Sequence, residues 1–144
     1  MSTPKLSNGE HENNGRFCYF YRVGNKGYKV YSTKRKALAC LRTQRFLYKL
    51  GVAPKPGNYF TLKSPVNGDC RYGYITDIAD EAEWRNNSTS DSVRKLLKRK
   101  NIYFYDCADF NLGTYRNKPV IIDCDPEEFS YKGSYSAFRQ LVGA

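Results

Sequence analysis

Four polar side chains in this 144-residue chain stand against apolar and aromatic neighbours, at spacings that could serve chemistry. Asp106, Asn111 five positions later, and Asp123 at the end of Val120-Ile121-Ile122 all fall within residues 103–125. Lys29 lies in the aromatic and β-branched run Tyr28-Lys29-Val30-Tyr31. A carboxylate and an amide oxygen held side by side are the hard ligands that Mg²⁺ takes when it is bound mainly through phosphates. A lysine in mid-strand with aromatic neighbours has its stem packed and its ammonium presented at one place. Without a ligand, the same residues would be ordinary structure. Asp106 and Asn111 would form turns, Asp123 would end a strand, and Lys29 would be a snorkelling strand lysine.

The surrounding elements decide whether these groups can meet. Arg116-Asn117-Lys118-Pro119 is a turn signal between strand-like residues 112–115 and 120–122, with residues 103–111 read as a loop. In such a hairpin Asn111 precedes one strand and Asp123 follows its partner, so both reach one point. Residues 17–23 and 28–31, separated by Gly24-Asn25-Lys26-Gly27, predict a second hairpin, with Lys29 and Tyr31 on one face and Tyr28 and Val30 on the other. Ala37, Leu38, Leu41, Leu47 and Leu50 predict a long helix, capped by Ser32 or Thr33 and stopped by Gly51. A strand pair over residues 58–62 and 71–76 follows, then a surface connection at 81–90, a short helix at 91–100 and a last helix at 134–142. The fold class expected is α+β: a small antiparallel sheet with one long helix, then a reduced, mostly helical C-terminal part that carries the second-half hairpin.

Composition narrows the function classes. Hydrophobic residues at 40% and aromatics at 15% suit one folded domain over residues 16–144, after a polar and mobile segment at 1–15. The net charge of +10 lies in the first 60 residues, which hold 12 basic and 2 acidic side chains; the rest hold 12 of each. Such asymmetry attracts nucleic acid, triphosphates or an acidic protein partner, with Lys34, Arg35, Lys36, Arg42 and Arg45 as the candidates; a solvated helix face is the other reading. Basic residues at 94–100 pose the same choice. Five cysteines without a C-x-x-C pair, and a single histidine, make a zinc site of usual spacing improbable and point to a reduced, cytoplasmic protein. No apolar run approaches the roughly 20 residues of a membrane helix.

Taken together, the strand lysine, the helix, Leu50-Gly51-Val52-Ala53-Pro54, the strand leading into Asp77-Ile78-Ala79-Asp80, the D-x-x-x-x-N loop and the strand-ending Asp123 resemble the protein-kinase-like superfamily, in the family's order over about 110 residues. The resemblance implies ATP and Mg²⁺ as cofactors. Asp106 would act as base at an acceptor hydroxyl, Lys29 would hold the phosphates, and Asn111 and Asp123 would hold the metal. Gly15 would stand in the phosphate loop, and the main chain of Asp77, Ile78 and Ala79 would take the adenine edge. Residues 16–80 would be N-lobe-like and 81–144 a truncated C-lobe, with a shortened activation segment at 126–133. The chain also departs from the pattern. Phe104 replaces the usual His or Tyr, no Gly follows Asp123 closely, and Thr43, between Arg42 and Gln44, occupies the place of the helix glutamate that pairs with the lysine. Two functions follow: a minimal kinase-like phosphotransferase acting on a protein hydroxyl, or a catalytically inactive pseudokinase-type binding or inhibitory module acting on a protein or nucleic acid. The small size suits a phage or other viral protein, acting in the host cytoplasm.

Overall fold

In the computed structural model, which describes residues 10–13, 18–63, 70–81, 87–105 and 111–143, the aromatic runs of the first half form one antiparallel sheet. Its strands are β1 (Glu10–Asn13), β2 (Cys18–Val23), β3 (Lys26–Tyr31), β4 (Pro56–Lys63) and β5 (Cys70–Asp77), in the order β1-β2-β3-β5-β4. Glu10–Asn13, within the segment expected to be mobile, pairs along the edge of β2. Gly24, at φ 64°, makes the tight turn between β2 and β3, in a left-handed conformation that glycine adopts without steric cost. Register places Phe20 of β2 and Tyr74 of β5 opposite Lys29. Opposed residues share a face, and the Lys29 ammonium lies 5.7 Å from the Tyr74 ring centroid. Tyr28 is on the other face, its ring 5.9 Å from that of Phe60.

Helix α1 (Lys34–Lys49) starts where the Thr33 hydroxyl accepts from the Lys36 N–H, and gives way to a left-handed Gly51 at φ 82°. Its inner face carries Ala37, Cys40, Leu41, Thr43, Gln44 and Leu47. The first part packs on Tyr31 and Tyr74 of the sheet. Leu47, at the far end, belongs to a second core with Val52, Val93, Leu97, Ile121, Phe129 and Phe138. One helix therefore contributes to both cores and sets the sheet against the C-terminal part.

That second part has β6 (Asp80–Glu81), α2 (Asn87–Lys98), β7 (Ile102–Phe104), β8 (Leu112–Tyr115), β9 (Lys118–Ile121), β10 (Phe129–Tyr131) and α3 (Tyr135–Val142). The predicted hairpin is β8–β9, with β6 along its edge, while β7 pairs with β10. The α+β class is as expected: an antiparallel sheet, one long helix after its first hairpin, then two shorter helices and a hairpin. Helix α2 begins at Asn87, before the expected residue 91, because no glycine or proline interrupts residues 87–90 and the helix anchored by buried Val93 and Leu97 extends through them. The β7–β10 pair stands where a loop over residues 103–111 and a shortened activation segment at 126–133 are expected. Each strand is only three residues long, too short for its alternation to be read, and the pair is held by rings: Phe104 stacks on Phe129 at 4.7 Å, and Phe129 on Phe138 at 4.9 Å. None of the described helices is long and apolar enough to cross a membrane.

Gly73 is where the sheet is tightest. A Cβ there would lie 2.1 Å from the Lys29 carbonyl oxygen and 2.8 Å from Phe60 Cζ. Gly73→Ala is expected to cost about 1–3 kcal/mol, seen as a lower urea midpoint with unchanged slope. An unchanged midpoint would show that β3 and β5 can separate freely.

Candidate functional site

Lys29 joins three parts of the fold. Its Nζ donates to Gln44 Oε1 of α1 at 3.0 Å and to the Ile122 carbonyl just after β9 at 2.5 Å, and the residue is 5% exposed. Gln44 is itself fully engaged. Its Nε2 donates to the Pro54 carbonyl at 2.9 Å and the Thr76 hydroxyl at 2.7 Å, and its Oε1 also accepts from the Tyr74 hydroxyl at 2.7 Å. An ammonium only donates, so Lys29 fixes which end of the amide faces it. The helix partner expected at Thr43 is thus Gln44. Thr43 instead turns its hydroxyl to the Ala39 carbonyl within the helix, at 2.8 Å. The sequence did hold a signal, since Gln44 lies three residues after Leu41 and three before Leu47, a polar residue on the buried stripe.

Because Gln44 is neutral, the charge of Lys29 has no acid on α1 to balance it. Asp123, the residue after the carbonyl that Lys29 holds, shares its electrostatic surroundings: both act on the Cys18 and Cys124 thiols. Burial raises Cys18 and pushes Cys124 up to about 12; Lys29 opposes this and Asp123 adds to it. Both thiols therefore stay protonated at neutral pH and are not nucleophiles.

The hairpin brings Asn111 to the same place. Leu112 pairs with Ile121, and one step further out the Ile122 N–H donates to the Asn111 carbonyl at 2.8 Å. Arg116 and Asn117, at φ 52° and 63°, form the turn with both residues left-handed, the type that matches strand twist. Asn111 is buried, and Asp123 follows its backbone partner. Among the described residues no three His, Cys, Asp or Glu side chains are gathered for a metal. One amide and one carboxylate suit a magnesium ion that keeps phosphate and water ligands, not a cage made by protein alone. Asp106 and Gly15 lie outside the described residues.

Asp77, Ile78 and Ala79 form the junction between the sheets, since β5 ends at Asp77 and β6 begins at Asp80. The Asp77 N–H donates to the Lys55 carbonyl at 2.9 Å, and its carbonyl accepts from the Thr76 hydroxyl at 3.0 Å. Its side chain is a clamp that sequence reasoning missed: Lys26 and the Tyr115 hydroxyl each donate to it at 2.5 Å. Burial works against the ionised carboxylate, but these two hydrogen bonds and the Lys26 charge outweigh it and lower the pKa.

Of the basic residues expected to face a partner, Lys36 is otherwise engaged. It pairs with Asp125 at 2.6 Å and Glu127 at 3.6 Å, and Arg139 reaches Glu127 at 3.3 Å. Burial disfavours the Lys36 ammonium, but the bond and charge of Asp125 overcome it and raise the pKa. Asp125 also caps the 3₁₀ turn Pro126–Glu128. Lys34, Arg35, Arg42 and Arg45 remain exposed, Arg35 and Arg42 lining a groove of about 580 Å³ with Arg139.

Two outcomes test this geometry. Gln44→Leu removes the partner of a buried ammonium and of the Pro54 carbonyl, and is expected to cost about 3–5 kcal/mol in urea unfolding; a loss below about 1 kcal/mol would mean that the network is optional. Asp77 has its pKa lowered by folding, so its stabilisation is complete above the usual carboxylate value of 3.8 and is lost as pH falls through the folded value. Asp77→Asn should destabilise at about pH 7 and converge on the native protein at acid pH, below the folded value. An equal gap at both values would assign the loss to packing.

The sequence matches no protein-family model and no curated protein. Among solved structures, the chain is similar to the crystal structure of monomeric WbdD, with a TM-score of 0.52 at 12% sequence identity. The match covers 86% of this chain and 35% of that one, so this chain spans about a third of the structure it resembles. At that identity the likeness is one of fold.

Proposed function

We propose that this chain is a minimal protein-kinase-like protein that binds Mg·ATP at the junction of sheet and hairpin. The observation that supports this most is the Lys29 ammonium, held by Gln44 and by the carbonyl immediately before Asp123, with Asn111 beside it on the hairpin. Two of the three ammonium donors anchor Lys29, so the third can meet a phosphate oxygen without the lysine first being ordered. Asn111 and Asp123 would hold the Mg²⁺, which when bound neutralises phosphate charge. The main chain of Ile78 and Ala79, with the Asp77 carbonyl, would take the adenine edge. Gly15 would supply the phosphate loop, and Asp106 would orient the hydroxyl of a protein acceptor.

Two observations favour a second reading, a non-catalytic, pseudokinase-type module that binds or inhibits a protein or nucleic acid partner through the exposed arginines of α1. Gln44 stands where a kinase-like protein places a glutamate, and the Ile122 carbonyl competes with phosphate for the ammonium. The experiment is thermal unfolding with saturating Mg·ATP, run on the native chain, Lys29→Met and Asp123→Asn. A nucleotide at 100 times its dissociation constant adds about 2.7 kcal/mol, a shift of several degrees for a domain of this size. A shift present in the native chain and lost in both variants supports the nucleotide site; no shift in the native chain overturns it. A shift without transfer of labelled phosphate to the chain or to an added acceptor protein favours the second reading.

A further inference from the structure

A second surface lies on β7, α2 and α3, apart from Lys29 and Asp123. Ile102 and Phe104 point into the core, so the alternate residues Tyr103 and Tyr105 project outward, 52% and 45% exposed. Their ring centroids are 4.4 Å apart, edge to face at 63°, and Tyr105 lies 5.3 Å from Tyr135 of α3, which is 53% exposed, at an interplanar angle of 30°. The Tyr105 hydroxyl is hydrogen-bonded to buried Ser130 at 3.0 Å, which holds the middle ring in place. Tyr103 and Tyr105 line a groove of about 630 Å³ whose charged residues are Arg94, Lys95, Lys98 and Lys132 against one acid, Asp91.

Three neighbouring tyrosines, each about half exposed, leave apolar ring surface in water, and the cations around them repel a basic partner and offer no charge match to a neutral one. The complementary ligand carries flat faces at short spacing and regular negative charge. A single nucleic acid strand has both, whereas a duplex buries its base faces and an acidic peptide brings charge without them. We propose that this groove, with the Tyr135 ring beside Tyr105, binds single-stranded nucleic acid, with about two bases stacked on the outer rings Tyr103 and Tyr135 and the phosphates against Lys95, Lys98 and Lys132. This accounts for the basic end of α2, which the nucleotide site does not use.

The test is fluorescence anisotropy of the full chain with labelled ten-nucleotide oligothymidylate, beside a duplex of equal length and a polyglutamate peptide. The oligothymidylate should bind more tightly than either control. Tyr103→Ala and Tyr135→Ala should each weaken binding about tenfold, with Tyr103→Phe restoring it, since stacking needs the ring and not the hydroxyl. Lys95→Ala and Lys98→Ala should each flatten the dependence of log affinity on log salt by about 0.7. Equal binding of the duplex or of polyglutamate, or affinity unmoved by the tyrosine variants, overturns the proposal. So does self-association of the chain that Tyr103→Ala abolishes, because the rings would then be covered by a second copy.

Discussion

The arrangement of this protein depends on one buried ammonium. Placing a charge away from water costs several kcal/mol unless its donors are met, and Lys29 meets this with a neutral amide and a backbone carbonyl. A dipole attracts the ammonium less than a carboxylate would, so the contact tolerates little error in position. Gln44 has none to spare, since Pro54, Thr76 and Tyr74 use its remaining capacity. The lysine thus sets the distance of α1 from the sheet and the position of the chain after β9.

Seen from the hairpin, the same constraint explains why Asn111 and the chain leading into Asp123 are held at one end of it. At its open end, β8–β9 is tied to the rest by the Lys29 bond to Ile122 and by the Ile121 N–H donating to the Val52 carbonyl at 2.7 Å. Near its turn, the Tyr115 hydroxyl is tied to Asp77, which also holds Lys26 of β3. A two-stranded hairpin alone is marginally stable in water; pinned at both ends against two cores, it becomes a fixed platform. The junction at residues 77–79 is therefore part of the support of the site as well as a connection.

Charge shows how little a count says about availability. All of the net positive charge lies in the first 60 residues, yet Lys29 is buried, Lys26 is paired with Asp77, and Lys36 is paired with Asp125 and Glu127. The electrically balanced second part, by contrast, gathers four cations around one acid beside its exposed tyrosines. Where charges are collected on the surface matters more for recognition than their sum.

The parts legible in the sequence were those whose causes are close in the chain. Gly24-Asn25 and Arg116-Asn117 set two hairpins, Thr33 and Gly51 bound the long helix, and the hairpin geometry put Asn111 beside the residue before Asp123. The α+β class followed from these. What the sequence could not choose was the partner of each polar group. Lys29 bonds across 15 residues to Gln44 and across 93 to Ile122, Asp77 reaches 51 residues back to Lys26 and 38 on to Tyr115, and β7 finds β10 through ring stacking. Turns and caps are chosen by backbone preferences of adjacent residues, which composition and spacing record. Partners are chosen by which buried groups are left unsatisfied once the cores have packed, and only the tertiary structure decides that.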